Sequence, residues 1–296
     1  MKRSKITFFL AIVLGITLHS CLDMEPQDQL GGKNMWTSVN DYKQFANTFY
    51  SWTRDFSSVV YDGTHSDKRS DLITYQSYNE FSRGINSIPS SDANYTDNYK
   101  HIRRTNLLIE NAETYSKPED IKQYLGEAYF FRAYSYFDLL QLYGDVIITK
   151  KPLDITDPEM KVKRNDRSEV VIDDLGHAID NLPAFKELST EEEGRISKEG
   201  AQAFLSRVAL YEGTWQKSRN GNQNTQRSAN LLDIAAKAAR TVIDAKYGYT
   251  FRLFGTDSET KILGDSAQKY MFILENEKSN PAGIKKSSNH EYIFAR

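Results

Sequence analysis

The sequence predicts a mainly α fold built from paired helices, with one long irregular loop region. Apolar residues recur at helical spacing in six separate segments, small and bulky aromatic side chains alternate on the inner faces, and glycine, proline and polar residues interrupt the pattern over 54–92. The 296 residues are 39% hydrophobic and 26% charged, an ordinary globular balance that excludes collagen-like, disordered and disulfide-scaffold classes. A chain of this length buries a sizeable core without metals or crosslinks. Its 38 Lys and Arg against 40 Asp and Glu leave a formal charge of -2, so the basic excess needed for nucleic acid is missing. Aromatics reach 12% and are led by 18 tyrosines, which suit wet surfaces as well as cores.

The elements follow in order. Lys2, Arg3 and Lys5 precede an apolar run over 6–18 and then Leu18-His19-Ser20-Cys21, which reads as a secretory signal over 1–20. The run is too short to span a membrane, which takes about 20 residues. Cys21 is the sole cysteine, so no internal disulfide forms, and it stands where the signal would be cut. The segment resembles a bacterial lipoprotein signal, in which that cysteine becomes the lipidated N-terminus, although His19 replaces the usual small or apolar residue. Residues 21–35, with Asp23, Glu25, Pro26, Asp28 and Gly31-Gly32, read as an extended tether, and the folded part as 36–296.

Ser38, with Asp41 three residues on, caps a first helix carrying Tyr42, Phe45, Phe49 and Trp52. The irregular region follows, and a loop that long is normally functional or disordered; its tyrosines argue for function. A second helix puts Tyr95, Tyr99, Ile102, Asn106 and Ile109 on one face. The third, over 119–143, is apolar on nearly every side and is therefore buried. Asp166 and Glu169 can form a capping box for a fourth helix that stops at Pro183, and Ser197 caps a fifth. A polar loop over 217–228 precedes a sixth helix over 230–246. Two short apolar runs, 271–274 and 292–294, read as short strands, and the chain ends inside the second, as if a C-terminal part were missing. Antiparallel pairs of such helices suggest tetratricopeptide-like stacking, without a clean 34-residue self-match.

Glu127 and Arg132 on the apolar third helix each require a partner, because an unpaired buried charge costs several kcal/mol (order of magnitude). Asn106 is expected to satisfy buried backbone groups. Asp173-Asp174 and Glu191-Glu192-Glu193 do not read as a hydrolytic pair: adjacent residues on a helix point apart, and the acidic run before Gly194 reads as solvated loop. The histidines at 65, 101, 177 and 290 lack metal-ligand spacing and no phosphate-cradling glycine loop occurs, so no metal, cofactor or catalytic residue is expected. Sugar rings stack their C–H faces on aromatic rings while their hydroxyls bond to Asp, Asn and Arg. Residues 61–95 supply that mixture, and the ligand-binding candidates are Asp67, Arg69, Tyr75, Tyr78, Asn94 and Tyr95.

In order, Tyr99-Lys-His-Ile-Arg-Arg-Thr-Asn106, Gly126-Glu-Ala-Tyr-Phe-Phe-Arg132, Leu142-Tyr-Gly-Asp-Val146, Arg167-Ser-Glu-Val-Val-Ile-Asp-Asp174, Gly194-Arg-Ile-Ser-Lys198 and Ala203-Phe-Leu-Ser-Arg207 resemble the SusD/RagB family of outer-membrane nutrient-binding lipoproteins. Two positions depart from its pattern: Ile147 stands where proline usually follows Gly-Asp-Val, and Tyr95 where tryptophan is common. The resemblance implies a SusD-like fold with tetratricopeptide-like pairs, Cys21 as the lipid anchor in the outer membrane, and display toward the cell exterior. It also implies a SusC-like TonB-dependent transporter as partner, and an oligosaccharide or a peptide as ligand. The alternative class is a helical-repeat scaffold that binds only proteins.

Overall fold

The computed structural model describes residues 35–53, 80, 83–153, 167–219 and 225–294, and every long element among them is helical. Helix α1, Val39–Asn47, opens on a reciprocal capping box: the Ser38 hydroxyl accepts from the Asp41 amide, and the Asp41 carboxylate accepts from the Ser38 amide at 2.8 Å. It ends sooner than the spacing predicts, tightening into a 3-10 turn, Thr48–Trp52. Phe49 nevertheless stays in the core, because a tighter turn still returns every third side chain to one face.

Helices α2, Ala93–Ala112, and α3, Lys122–Tyr143, follow, the latter entered through a 3-10 turn at Pro118–Ile121. Then come α4, Arg167–Asn181, α5, Lys198–Arg219, and α6, Thr225–Ile243, and finally a single turn, α7, Ala267–Tyr270. From α2 to α6 each helix packs on the next. Their contacts are antiparallel. Tyr143 at the end of α3 reaches Asp92 at the start of α2, and Gly126 early in α3 lies against Leu182 just past α4. Likewise Gly213, late in α5, lies against Leu231 and Leu232, early in α6. The expected mainly α fold with stacked pairs is what forms.

Helix α3 is the axis of the stack. Phe131, Tyr136 and Leu139 are fully buried on it, and Phe131 alone meets Phe49, Tyr50, Trp52 and Phe130 ring to ring. Gly144, at a positive φ of 68°, ends α3 with its amide on the Leu140 carbonyl.

Three expectations need correction. The polar loop over 217–228 is helical at both ends, since α5 continues to Arg219 and α6 starts at Thr225, with 220–224 outside the described residues. Its polar residues join helices: the buried Ser228 hydroxyl donates to the Gly213 carbonyl at 2.8 Å. The runs 271–274 and 292–294 are not strands. Leu274 instead joins Phe254, Leu263 and Ile284 in a second, smaller core, so its apolar character serves packing between turns. The acidic run is not simply solvated either, because Glu192 is held by Lys43 and Arg195. Cys21, the tether, Asp166 and most of the irregular region lie outside the described residues.

Candidate functional site

Of the predicted ligand-binding residues, Asp67, Arg69, Tyr75 and Tyr78 lie outside the described residues, whereas Asn94 and Tyr95 are placed. Both sit in the first turn of α2, which begins where the Asp92 Oδ1 accepts from the Asn94 amide at 2.9 Å. Tyr95 is half-buried. Its ring leans on Tyr99, one turn on, with centroids 4.7 Å apart, and meets Tyr143 edge-on at 5.3 Å and 88°. The Tyr143 hydroxyl donates to Asp92 Oδ2 at 2.7 Å, and the Tyr99 hydroxyl donates to the Ile147 carbonyl at 2.8 Å. Asn98 donates to the Asn94 carbonyl and to Asp138 Oδ2, both at 2.9 Å. Three tyrosines therefore share a rim with Asp92, Asn94 and Asn98 where α2 starts and α3 ends.

The electrostatics of this rim are set locally. The hydrogen bond from Tyr143, followed by the amides of the first helical turn, holds the Asp92 carboxyl below its usual range, so it is an ionised acceptor at neutral pH. Burial, and then the neighbouring Tyr95 hydroxyl, push the Tyr99 phenol up, so it stays a neutral donor. Asp138 continues the rim into a cleft of about 270 Å³ that Tyr134, Phe137, Phe204 and Arg207 also line. The arrangement sets three tyrosine rings beside the polar groups of Asp92, Asn94, Asn98 and Asp138, which hold the rim through hydrogen bonds of their own.

The segment 147–153 is pinned behind the rim. Asn106 donates to the Thr149 and Lys151 carbonyls at 3.1 and 3.2 Å, the backbone-satisfying role expected of it. The Tyr136 hydroxyl accepts from the Thr149 amide at 2.7 Å. Deeper, Arg132 holds Asp174 through two bonds of 2.8 and 2.7 Å and also donates to Asn106. Glu127, fully buried, takes two bonds from Arg195 at 2.9 and 2.8 Å. Both buried charges on α3 thus have the partners that burial requires. Among the described residues, no group of three His, Cys, Asp or Glu side chains is placed to hold a metal.

Sequence reasoning overlooked Asp92 and Tyr143 as site neighbours. A signal existed for each: Asp92 precedes the first periodic apolar position of α2, and Tyr143 is the last aromatic before Gly144. The stack of Trp52 on His101, 4.1 Å between centroids and 14° between planes, gave no signal, because nothing in the spacing joins a 3-10 turn to the middle of α2.

The family model described as "Starch-binding associating with outer membrane", a SusD-like family, matches residues 22–210, well over half of the chain. SusD-like protein P38 of Formosa agariphila is 28% identical over 71% of this chain and 42% of its own length. SusD-like protein P2 of the same organism is 27% identical over 99% of this chain and 59% of its own. The chain thus spans about half the length of these curated relatives. A SusD-like protein from Bacteroides fragilis superposes with a TM-score of 0.62 at 23% identity, over 91% of this chain and 46% of its own, which is a likeness of fold. With that helical stack and a family match running from Leu22 to the middle of α5, the chain belongs to the SusD-like (SusD/RagB) family.

Proposed function

We propose that this protein is a non-catalytic lipoprotein of the outer-membrane surface that binds an oligomeric nutrient, a glycan, and passes it to a TonB-dependent transporter. The family match, whose description joins starch binding to the outer membrane, carries the reading. The rim at Tyr95 supports it with stacked tyrosines beside Asp92 and Asn94, the residue types that saccharide recognition uses. The interior carboxylates Glu127 and Asp174 support the non-catalytic part, since both are engaged by arginines inside the bundle. Stacking on a few rings gives affinities of about -4 to -8 kcal/mol, in the millimolar to micromolar range, which suits capture followed by release.

A glycan array probed with the purified protein tests the reading, followed by calorimetric titration of the best saccharide into wild type and Tyr95→Ala. Binding that drops about tenfold or more in the variant, a loss of about 1.4 kcal/mol, is the expected result. Wild-type affinity in Tyr95→Ala would move the site away from this rim, and an array that responds only to peptides would replace the ligand class.

A further inference from the structure

We propose that Tyr143 is a positioning residue for saccharide recognition at Tyr95, acting through its hydrogen bond to Asp92 and its edge contact with the Tyr95 ring. The inference rests on the reading of this rim as the saccharide site. Tyr143 is the last residue of α3, and the chain turns away immediately after it at Gly144. Its ring therefore stands on a helix end rather than on a loop. From there it makes two connections to the opposite end of the antiparallel pair. The hydroxyl reaches Asp92 Oδ2 at 2.7 Å, and the ring edge meets Tyr95 at 5.3 Å. Asp92 uses its other oxygen on the Asn94 amide at 2.9 Å, so one carboxylate joins the Tyr143 phenol to the turn that carries Tyr95.

The physical need is preorganisation. A tyrosine in the first turn of a helix has two side-chain torsions and a backbone prone to fraying, and ordering it when ligand arrives subtracts from affinity. The Tyr143–Asp92 bond restrains the backbone beforehand, and the Tyr143 ring edge restrains the Tyr95 side chain. The bond joins the first turn of α2 to the last turn of α3, and the Tyr143 ring closes one side of Tyr95 while Tyr99 closes another. Tyr99 is itself fixed by its bond to the Ile147 carbonyl. Held below its usual range by the Tyr143 bond, the Asp92 carboxyl is an ionised acceptor, and an ionised acceptor makes the stronger partner for a phenol donor. Tyr143 thus acts on the ligand through Tyr95, which separates it from a contact residue.

That distinction is measurable with Tyr143→Phe, Tyr95→Ala and the double variant of the whole chain, titrated with maltoheptaose. Tyr143→Phe keeps the ring and loses only the hydroxyl, and is expected to weaken binding about three- to tenfold with the circular-dichroism signal unchanged. Residues acting as one unit are non-additive, so the double variant should bind within about twofold of Tyr95→Ala alone. Full binding by Tyr143→Phe, or an additive loss in the double variant, overturns the positioning role while leaving Tyr95 as the site. Full binding by Tyr95→Ala overturns the site itself. A ligand-free measurement decides independently of any saccharide: amide hydrogen exchange at Asn94 and Tyr95 should accelerate about tenfold in Tyr143→Phe, as expected when a helix end loses a tether. It should stay unchanged in Tyr115→Phe, a tyrosine outside the rim. Equal exchange in wild type and Tyr143→Phe overturns the inference.

Discussion

Arg132 sits at 4% exposure on a helix whose buried side chains are mostly aromatic and aliphatic, and its guanidinium is shared between Asp174 and Asn106. Replacing it with Leu leaves the Asp174 carboxylate buried and alone, which costs about 3–5 kcal/mol; replacing both Arg132 and Asp174 with Leu should recover much of that. Urea unfolding of the single and double variants checks this, and equal stability of all three proteins would show that the pair carries no load. That Arg132 must have a partner is legible in the sequence, since burial of α3 follows from its composition. Which partner it takes is not, because Asp174 lies 42 positions away and reaches it only through the crossing of α3 and α4. Glu127 and Arg195, 68 positions apart, repeat the case. His101 gives a second residue-scale expectation. Burial under the stacked Trp52 ring lowers its imidazole from 6.5 to about 4. The folded value lies below the unfolded one, so as pH falls the unfolded chain takes up the proton first. Stability is therefore lost between about pH 6.5 and about 4. His101→Gln should flatten the melting temperature across that window, and an imidazole titrating near 6.5 by NMR would refute the burial.

At the scale of elements, α3 and the end of α4 approach closely at a glycine. A Cβ on Gly126 would lie 2.9 Å from the Leu182 Cγ and 3.0 Å from its backbone nitrogen. A flexible side-chain tip can retreat, but a backbone nitrogen beside Pro183 cannot do so cheaply. Gly126→Val should therefore destabilise by about 1–3 kcal/mol through overpacking, even though glycine is a poor helix former. Thermal melting checks it, and a stabilised variant would mean that α3 and α4 are less tightly apposed. The existence of this glycine was visible in the sequence; its reason was not, because it depends on where α4 ends. The six helices themselves were legible, since Ser38, Ser197 and the 3.6-residue apolar period each act locally. The runs 271–274 and 292–294 were misread because a short apolar segment looks the same whether it pairs as a strand or plugs a turn-built core around Phe254 and Ile284. The polar stretch 217–228 misled for a related reason: Ser228 is a helix residue whose hydroxyl is used between helices, and polarity alone reads as loop. The rim at Tyr95 was half legible, through its composition but not through Tyr143 and Asp92, which only the antiparallel pairing brings together.

For the whole molecule the question is what keeps it at a membrane. No helix among the described residues is long and apolar enough to cross one, and the anchoring proposed above rests on Cys21. A single acyl chain binds membranes only marginally, whereas several chains on one residue hold firmly; a lipidated Cys21 would supply the latter. Helix α1 begins at Val39, and the first described residue is Met35. Fully extended, a chain from Cys21 to Met35 would reach at most about 50 Å, from roughly 3.4 Å per residue. Retention should accordingly depend on one sulfur atom and not on the bundle. Cys21→Ala should appear in the soluble fraction or remain as unprocessed precursor, while its helical circular-dichroism signal stays that of the wild type. The bundle variants Arg132→Leu and Gly126→Val should show the opposite pattern, with melting altered and membrane retention kept. Membrane fractionation of cells expressing each variant separates the two. If Cys21→Ala were processed and retained as fully as the wild type, the anchor would have to be a protein partner gripping the helical stack.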